Sequence, residues 1–96
     1  MNAPSVTATR AERIVSELRR ALQTEQVELI DDSHLHAGHA GARDGRGHFR
    51  VRVISPAFAG LRPLQRHQLV YRSLGELMQT DIHALSITAL TPDEAR

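Results

Sequence analysis

Six histidines stand in a chain of 96 residues that has no cysteine. Imidazole is the commonest protein metal ligand and the side chain that changes charge near neutral pH. Without thiols there is no disulfide, no CxxC redox chemistry, no cysteine-type zinc finger and no thiolate nucleophile. Any metal site must use His, Asp or Glu, or borrow thiolates from another molecule. Three imidazoles sit together in His34-Leu35-His36-Ala37-Gly38-His39. A Gly-bordered segment of this kind lets an imidazole reach a metal held by a partner, but it does not preorganise a closed site. A self-contained zinc site wants about four ligands in fixed geometry. The spacing leaves two readings open, solvated loop histidines or metal ligands. His83 opens an apolar segment, where it is either a packed residue with a backbone partner or a ligand at a sheet edge. Strict alternation puts it on the same face as Leu85 and Ile87. His67 falls on an apolar helical stripe and reads as a structural residue with a satisfied ring.

The remaining motifs do not assemble into chemistry. Gly38-His39-Ala40-Gly41 matches the G-x-x-G clamp of KH nucleic-acid modules, but it lies between two strands, where the clamp should join two helices. The stretch 41–47 has no lysine and no following helix, so it is no phosphate loop. Ser33 near several histidines lacks an oriented acid and a strand–turn–helix elbow. Asp31 and Asp32 are adjacent, so they point to opposite faces of a strand and do not form a carboxylate pair. With no nucleophile–base pair and no closed catalytic metal site, an enzyme is not expected.

The elements that must position these groups are legible as patterns. Residues 1–8 have nothing to bury and read as a flexible tail. Thr9-Arg10-Ala11-Glu12 is a capping box. Ala11, Ile14, Val15, Leu18, Ala21 and Leu22 then repeat at helical spacing, which predicts a helix over 9–23. Residues 25–31 alternate, with Val27 and Leu29 on one side, as a half-buried strand does. Residues 32–47 hold four glycines and three histidines and almost nothing to bury. They form a long loop, and loops above about 12 residues in a compact domain are usually functional or mobile. Residues 48–55 alternate again, with Phe49, Val51 and Val53 inward and Arg50 and Arg52 outward. Pro56 ends that strand, and 56–60 makes one short helical turn around Phe58. Pro63 starts a second long helix through about Gln79, with Leu64, His67, Val70, Tyr71, Leu74, Leu77 and Met78 as its stripe. Residues 82–90, rich in apolar and β-branched types, are a third strand. Residues 92–96 read as a flexible polar tail.

The expected fold is therefore α+β (α/β): a single small domain, 9–91, of α-β-β-α-α-β order. It carries a three-stranded mixed sheet with helices on one face. Strands one and two form an antiparallel pair. The helical crossover makes strands two and three parallel. A net charge of +1 gives a weak global field, which does not indicate a strongly basic nucleic-acid-binding domain. No apolar run approaches the ~18 residues of a membrane span, and the start has no apolar core or basic region of a secretory signal. A cytoplasmic location is the expectation.

Asp32-Ser33, His36, the Gly-rich loop and His48-Phe49-Arg50-Val51-Arg52-Val53 together resemble the first half of BolA-like proteins. Ser55-Pro56-Ala57-Phe58-Ala59-Gly60-Leu61 and Gln65-Arg66-His67-Gln68-Leu69-Val70-Tyr71 resemble their middle, and Ile82-His83-Ala84-Leu85 their last strand. The resemblance covers about residues 9–92, in order. It implies a class II KH-like arrangement, of the loop-histidine type. It also implies pairing with a monothiol glutaredoxin and a [2Fe–2S] cluster held between the two proteins. The glutaredoxin supplies its cysteine, and bound glutathione supplies another thiolate. On this resemblance His83 is the strand-mouth ligand. Three residues on from Ser33, His36 is the loop ligand, with His39 as the second candidate. Histidine can replace cysteine on one iron of such a cluster. Alone, the chain would carry no cofactor and would be a monomer or weak homodimer. Some members of the family act as transcriptional regulators. Here a DNA-facing surface would be Arg43, Arg46, Arg50 and Arg52, making salt-sensitive phosphate contacts. A solvated basic face is the other reading of the same residues.

Overall fold

The computed structural model describes residues 9–32 and 47–96. The capping box forms as expected. The Thr9 hydroxyl accepts from the Glu12 N–H (3.1 Å), and the Glu12 carboxylate accepts from the Thr9 N–H (2.7 Å). From it runs α1 (Arg10–Leu22), which buries Ile14, Leu18 and Leu22. The helix stops at Gln23, which takes the left-handed conformation common at helix ends. Then follow β1 (Val27–Asp31), β2 (Gly47–Ile54), a single 3-10 turn at Pro56–Phe58, α2 (Pro63–Leu74), α3 (Leu77–Thr80) and β3 (Ile82–Leu90). The sheet order is β1-β2-β3, with β1 and β2 antiparallel and β2 and β3 parallel. The pairings expected from the sequence are those observed.

Alternation along β2 sends Phe49, Val51 and Val53 beneath the helices, where Ile14, Leu18, Phe58, Val70 and Ile82 meet them. Each fully buried side chain of this size contributes roughly 1.5–3 kcal/mol of burial free energy. The opposite face of the sheet is open. There Glu28, Ile30, Arg50, Ala84, Ser86 and Thr88 are exposed. Ser55 ties the layers together at the far end of β2. Its buried hydroxyl donates to the Leu22 carbonyl (2.8 Å) and accepts from the Ala57 N–H (3.1 Å).

Two expectations about the second long helix are corrected. It does not run to Gln79, because Gly75, at φ 55° and ψ −126°, ends α2 after Leu74. That backbone conformation strains any residue with a Cβ, and glycine adopts it freely. The chain then turns through α3 into β3. The buried stripe of α2 is also narrower than read. Val70 and Leu74 are buried and Leu69 packs against them, whereas Leu64 (69% exposed) and Tyr71 (40%) face outward. Residues 91–96, expected to include a tail, form a turn held to α2. Arg66 binds both carboxylate oxygens of Glu94 (2.6 and 3.1 Å) and also reaches the carbonyls of Leu61 and Ala89.

Candidate functional site at the mouth of the parallel strands

Parallel pairing puts the openings of β2 and β3 at one end of the sheet, so the histidines that open them become neighbours. Gly47 pairs with Ile82, but His48 pairs with Ala84. His83 is therefore the extra residue of a bulge. A bulge re-aims side chains, and here it breaks the alternation on which the face of His83 was read. Ile82 is buried, Leu85 and Ile87 are half-buried against the core, and both His83 and Ala84 are exposed. The expectation that His83 shares a face with Leu85 and Ile87 is thus corrected, and its ring is open to solvent. It lies against the ring of His48, with centroids 4.9 Å apart and planes tilted by 48°.

His48 is the residue that the sequence reading passed over. Its signal was available: it shares parity with the outward Arg50 and Arg52, and it opens the strand expected to run parallel to that of His83. Its carbonyl accepts from the Asp32 N–H (2.8 Å), so all three strands meet at this point. Beside it a shallow concavity of about 370 Å3 is lined by Asp32, His48, Phe49, Arg50, Ala84, Leu85 and Ser86.

The mouth is pinned to α1 through Asp81, which precedes β3 and is largely buried. Its carboxylate accepts from the Thr80 hydroxyl (2.5 Å), from Arg13 (2.5 Å) and from Arg10 (3.2 Å). The Thr80 hydroxyl and the two guanidinium groups hold its pKa below the usual carboxylate value, against the opposing effect of burial. Its carbonyl accepts from the Gly47 N–H (2.9 Å), and its own N–H donates to Leu77. The residue two places before His83 is thereby fixed to α1, α3 and β2 at once.

Of the arginines of the expected nucleic-acid face, the two among the described residues, Arg50 and Arg52, are engaged otherwise. Arg50 binds Asp32 through two nitrogens (2.6 and 3.4 Å), and Arg52 lies 3.7 Å from Glu28, its cross-strand neighbour. Each cation has a carboxylate beside it, which lowers the positive potential of the open face. His67 lies half-buried on α2. His34, His36, His39, Arg43 and Arg46 lie outside the described residues. Among the described residues no group of three His, Cys, Asp or Glu side chains could hold a metal ion. No helix among them is long and apolar enough to cross a membrane.

Comparison with known proteins agrees with this architecture. The family model described as BolA-like protein matches residues 18–94. Protein BOLA1, chloroplastic, of Arabidopsis thaliana is 40% identical over 89 residues, covering 90% of this chain and 56% of that protein. The UV-induced protein uvi31 of Schizosaccharomyces pombe is 38% identical, covering 92% of this chain and 91% of that one. The chain spans about half the length of some curated relatives it matches, and only 24% of the SufE-like protein 1 of Arabidopsis thaliana. Among solved structures, the BolA domain of SufE1 from Arabidopsis thaliana superposes with a TM-score of 0.78 at 37% identity, over 93% of this chain and 99% of that one. The matched span takes in all three strands and the whole strand mouth, and on it the chain belongs to the BolA-like protein family.

Proposed function

We propose that the chain is an adaptor, not an enzyme, that pairs with a monothiol glutaredoxin and shares a [2Fe–2S] cluster with it in cluster trafficking or iron homeostasis. A cytoplasmic setting is part of this proposal. The observation that carries it is the exposed imidazole of His83, set by a bulge at the end of a strand that Asp81 ties to three other elements. A group held this way can enter a metal's coordination sphere with little further ordering.

The described residues fit such a shared cluster better than a closed site made from them alone. The described part offers imidazoles but no set of three ligating side chains, so further ligands would come from the loop and from the partner. Asp32 and Gly47, where the loop leaves and rejoins the sheet, both lie at the His83 end. His36 is four residues along from Asp32, at most about 14 Å of extended chain. His36, with His39 as the second candidate, would be the other ligand. When bound, the cluster would supply electron-accepting iron and a transferable iron–sulfur unit. The partner would contribute its cysteine and the thiolate of bound glutathione. DNA binding through Arg43, Arg46, Arg50 and Arg52 is the weaker reading, because Arg50 and Arg52 face carboxylates of their own sheet.

The test is to mix the chain with a monothiol glutaredoxin, glutathione, ferrous iron and sulfide. A heterodimer by native mass, with charge-transfer absorbance unlike that of the glutaredoxin alone, supports the proposal. A glutaredoxin-only spectrum with no complex refutes it.

A further inference from the structure

We propose that the outer edge of β3 is a homodimer interface, at which the β3 strands of two copies pair antiparallel about a two-fold axis beside Ser86. β3 lies at one edge of the sheet, with β2 as its neighbour there. The Leu90 carbonyl accepts from the Ser55 N–H (2.9 Å), on the β2 side. Alternation then turns the backbone groups of Ala84, Ser86 and Thr88 toward β2 and those of Leu85, Ile87 and Ala89 away from it. Ala89 agrees, since its carbonyl accepts from Arg66 of α2 (3.1 Å). Among the described residues no hydrogen bond reaches the outward N–H and C=O groups of Leu85 and Ile87. Exposed edges are usually guarded by charge, proline or short length. The other edge strand, β1, has five residues and carries Glu28 and Asp31. β3 has nine residues and no Asp, Glu, Lys, Arg or Pro.

The occupant that fits this edge is a second copy of the same strand, because the edge is self-complementary. With Ser86 on the axis, Leu85 faces Ile87 of the second copy and exchanges both N–H···O bonds with it, and the two-fold repeats the exchange on the other side. Every outward group of Leu85 and Ile87 is then satisfied, and the Ala89 carbonyl that Arg66 already holds is not required. Moving the axis to Ile87 would instead set Leu85 against that engaged carbonyl. On the open face Ser86 meets its own equivalent and Ala84 meets Thr88, all of them small and exposed. No charge sits opposite its like across the axis, and a net charge of +1 leaves little repulsion between copies. A single strand pair buries less than about 1,200 Å2, the size of weak and transient contacts. The dimer therefore forms at high protein concentration and is the state of the chain alone. This inference uses neither the cluster nor the glutaredoxin, so it does not rest on the proposed function.

The test uses the full chain, with far-ultraviolet circular dichroism confirming the fold of each variant. Sedimentation velocity from micromolar to millimolar concentration should show a reversible dimer, and the Leu85 and Ile87 amides should exchange more slowly in concentrated than in dilute samples. The chain has no cysteine, so Ser86→Cys introduces a lone thiol. On the axis its Cα lies about 4.5 Å from that of its equivalent, within reach of a disulfide. Oxidised glutathione should therefore convert Ser86→Cys to a covalent dimer. Thr88→Cys is the control, because its equivalents lie about 13 Å apart along the strands and should not cross-link. Ser86→Lys and Ser86→Glu should each weaken the dimer about threefold or more, and mixing the two should restore it. A wild type that stays monomeric throughout overturns the inference. So does Thr88→Cys cross-linking as readily as Ser86→Cys, or a dimer that Ser86→Lys leaves unchanged. Slow exchange of both amides in the dilute monomer overturns it too, since the edge would then be covered by the chain's own residues.

Discussion

Replacing Asp81 by alanine should cost about 2 kcal/mol of folding stability. The carboxylate is only 11% exposed and accepts from Arg10, Arg13 and Thr80. Hydrogen bonds to a charged group are each worth about 1.5–3 kcal/mol. The full sum does not apply, because Arg10 and Arg13 are 36% and 45% exposed and regain water when the acid is gone. The desolvation cost of the carboxylate also disappears with it, which leaves a net loss near the lower end. For a domain of this size that is a fall in melting temperature of about 8–16 °C. Urea unfolding followed by circular dichroism should show a lower midpoint at unchanged slope. The folded-state pKa of Asp81 is depressed. Its contribution is therefore complete above the unfolded value of about 3.9 and fades as pH falls through the lower folded value. Wild type and variant should differ most at neutral pH and converge in acid. A loss below about 0.5 kcal/mol at pH 7, or a gap that does not close in acid, would refute the view that this carboxylate pins the strand mouth.

Glu94, held at a pKa of about 2 chiefly by Arg66 and then by the Thr91 N–H, should behave in the same sense. Its contribution is present above about 4.5 and lost as pH falls toward 2. The Glu94→Gln variant should therefore lack that part of the acid limb in a pH series of thermal melts. Phe58, fully buried between the helices and the sheet, should cost about 3–5 kcal/mol on truncation to alanine, read by urea unfolding. Gly75→Ala brings its Cβ only to ordinary contact with the Arg72 carbonyl oxygen (4.0 Å) but must hold φ 55°, so it should lose about 1–3 kcal/mol through backbone strain, checked by the same melts.

Which parts of this molecule could be read from sequence follows from how local each signal is. The capping box at Thr9 and Glu12 is closed by atoms three residues apart, and it forms as read. The alternation of Phe49, Val51 and Val53 reflects the pleat itself and predicts their burial. Parity fails at His83 because a bulge inserts one residue against the opposite strand, and nothing in Ile82-His83-Ala84 marks where the extra residue falls. The long second helix was read through Gly75 because apolar residues continue at helical spacing to Met78; the turn there depends on φ, not on hydrophobicity. Leu64 and Tyr71 keep helical spacing with Val70 and Leu74, yet the sheet lies under a narrower arc. The salt bridges of Arg50 and Arg52 required the β1–β2 register, which alternation alone leaves open. The loop candidates His36, His39, Arg43 and Arg46 lie outside the described residues, so the strand mouth contributes His83 and the previously unread His48.

The most direct measurement is cluster titration of the His83→Ala variant against wild type, each with a monothiol glutaredoxin and glutathione. His83 is exposed and contributes little core volume, so circular dichroism should show an unchanged fold. We expect the variant to lose the shared-cluster spectrum or to revert to that of the glutaredoxin alone, while the wild type forms a heterodimer with its own spectrum. A variant with the wild-type spectrum and wild-type affinity would remove His83 from the cluster site and contradict the proposed function at its centre.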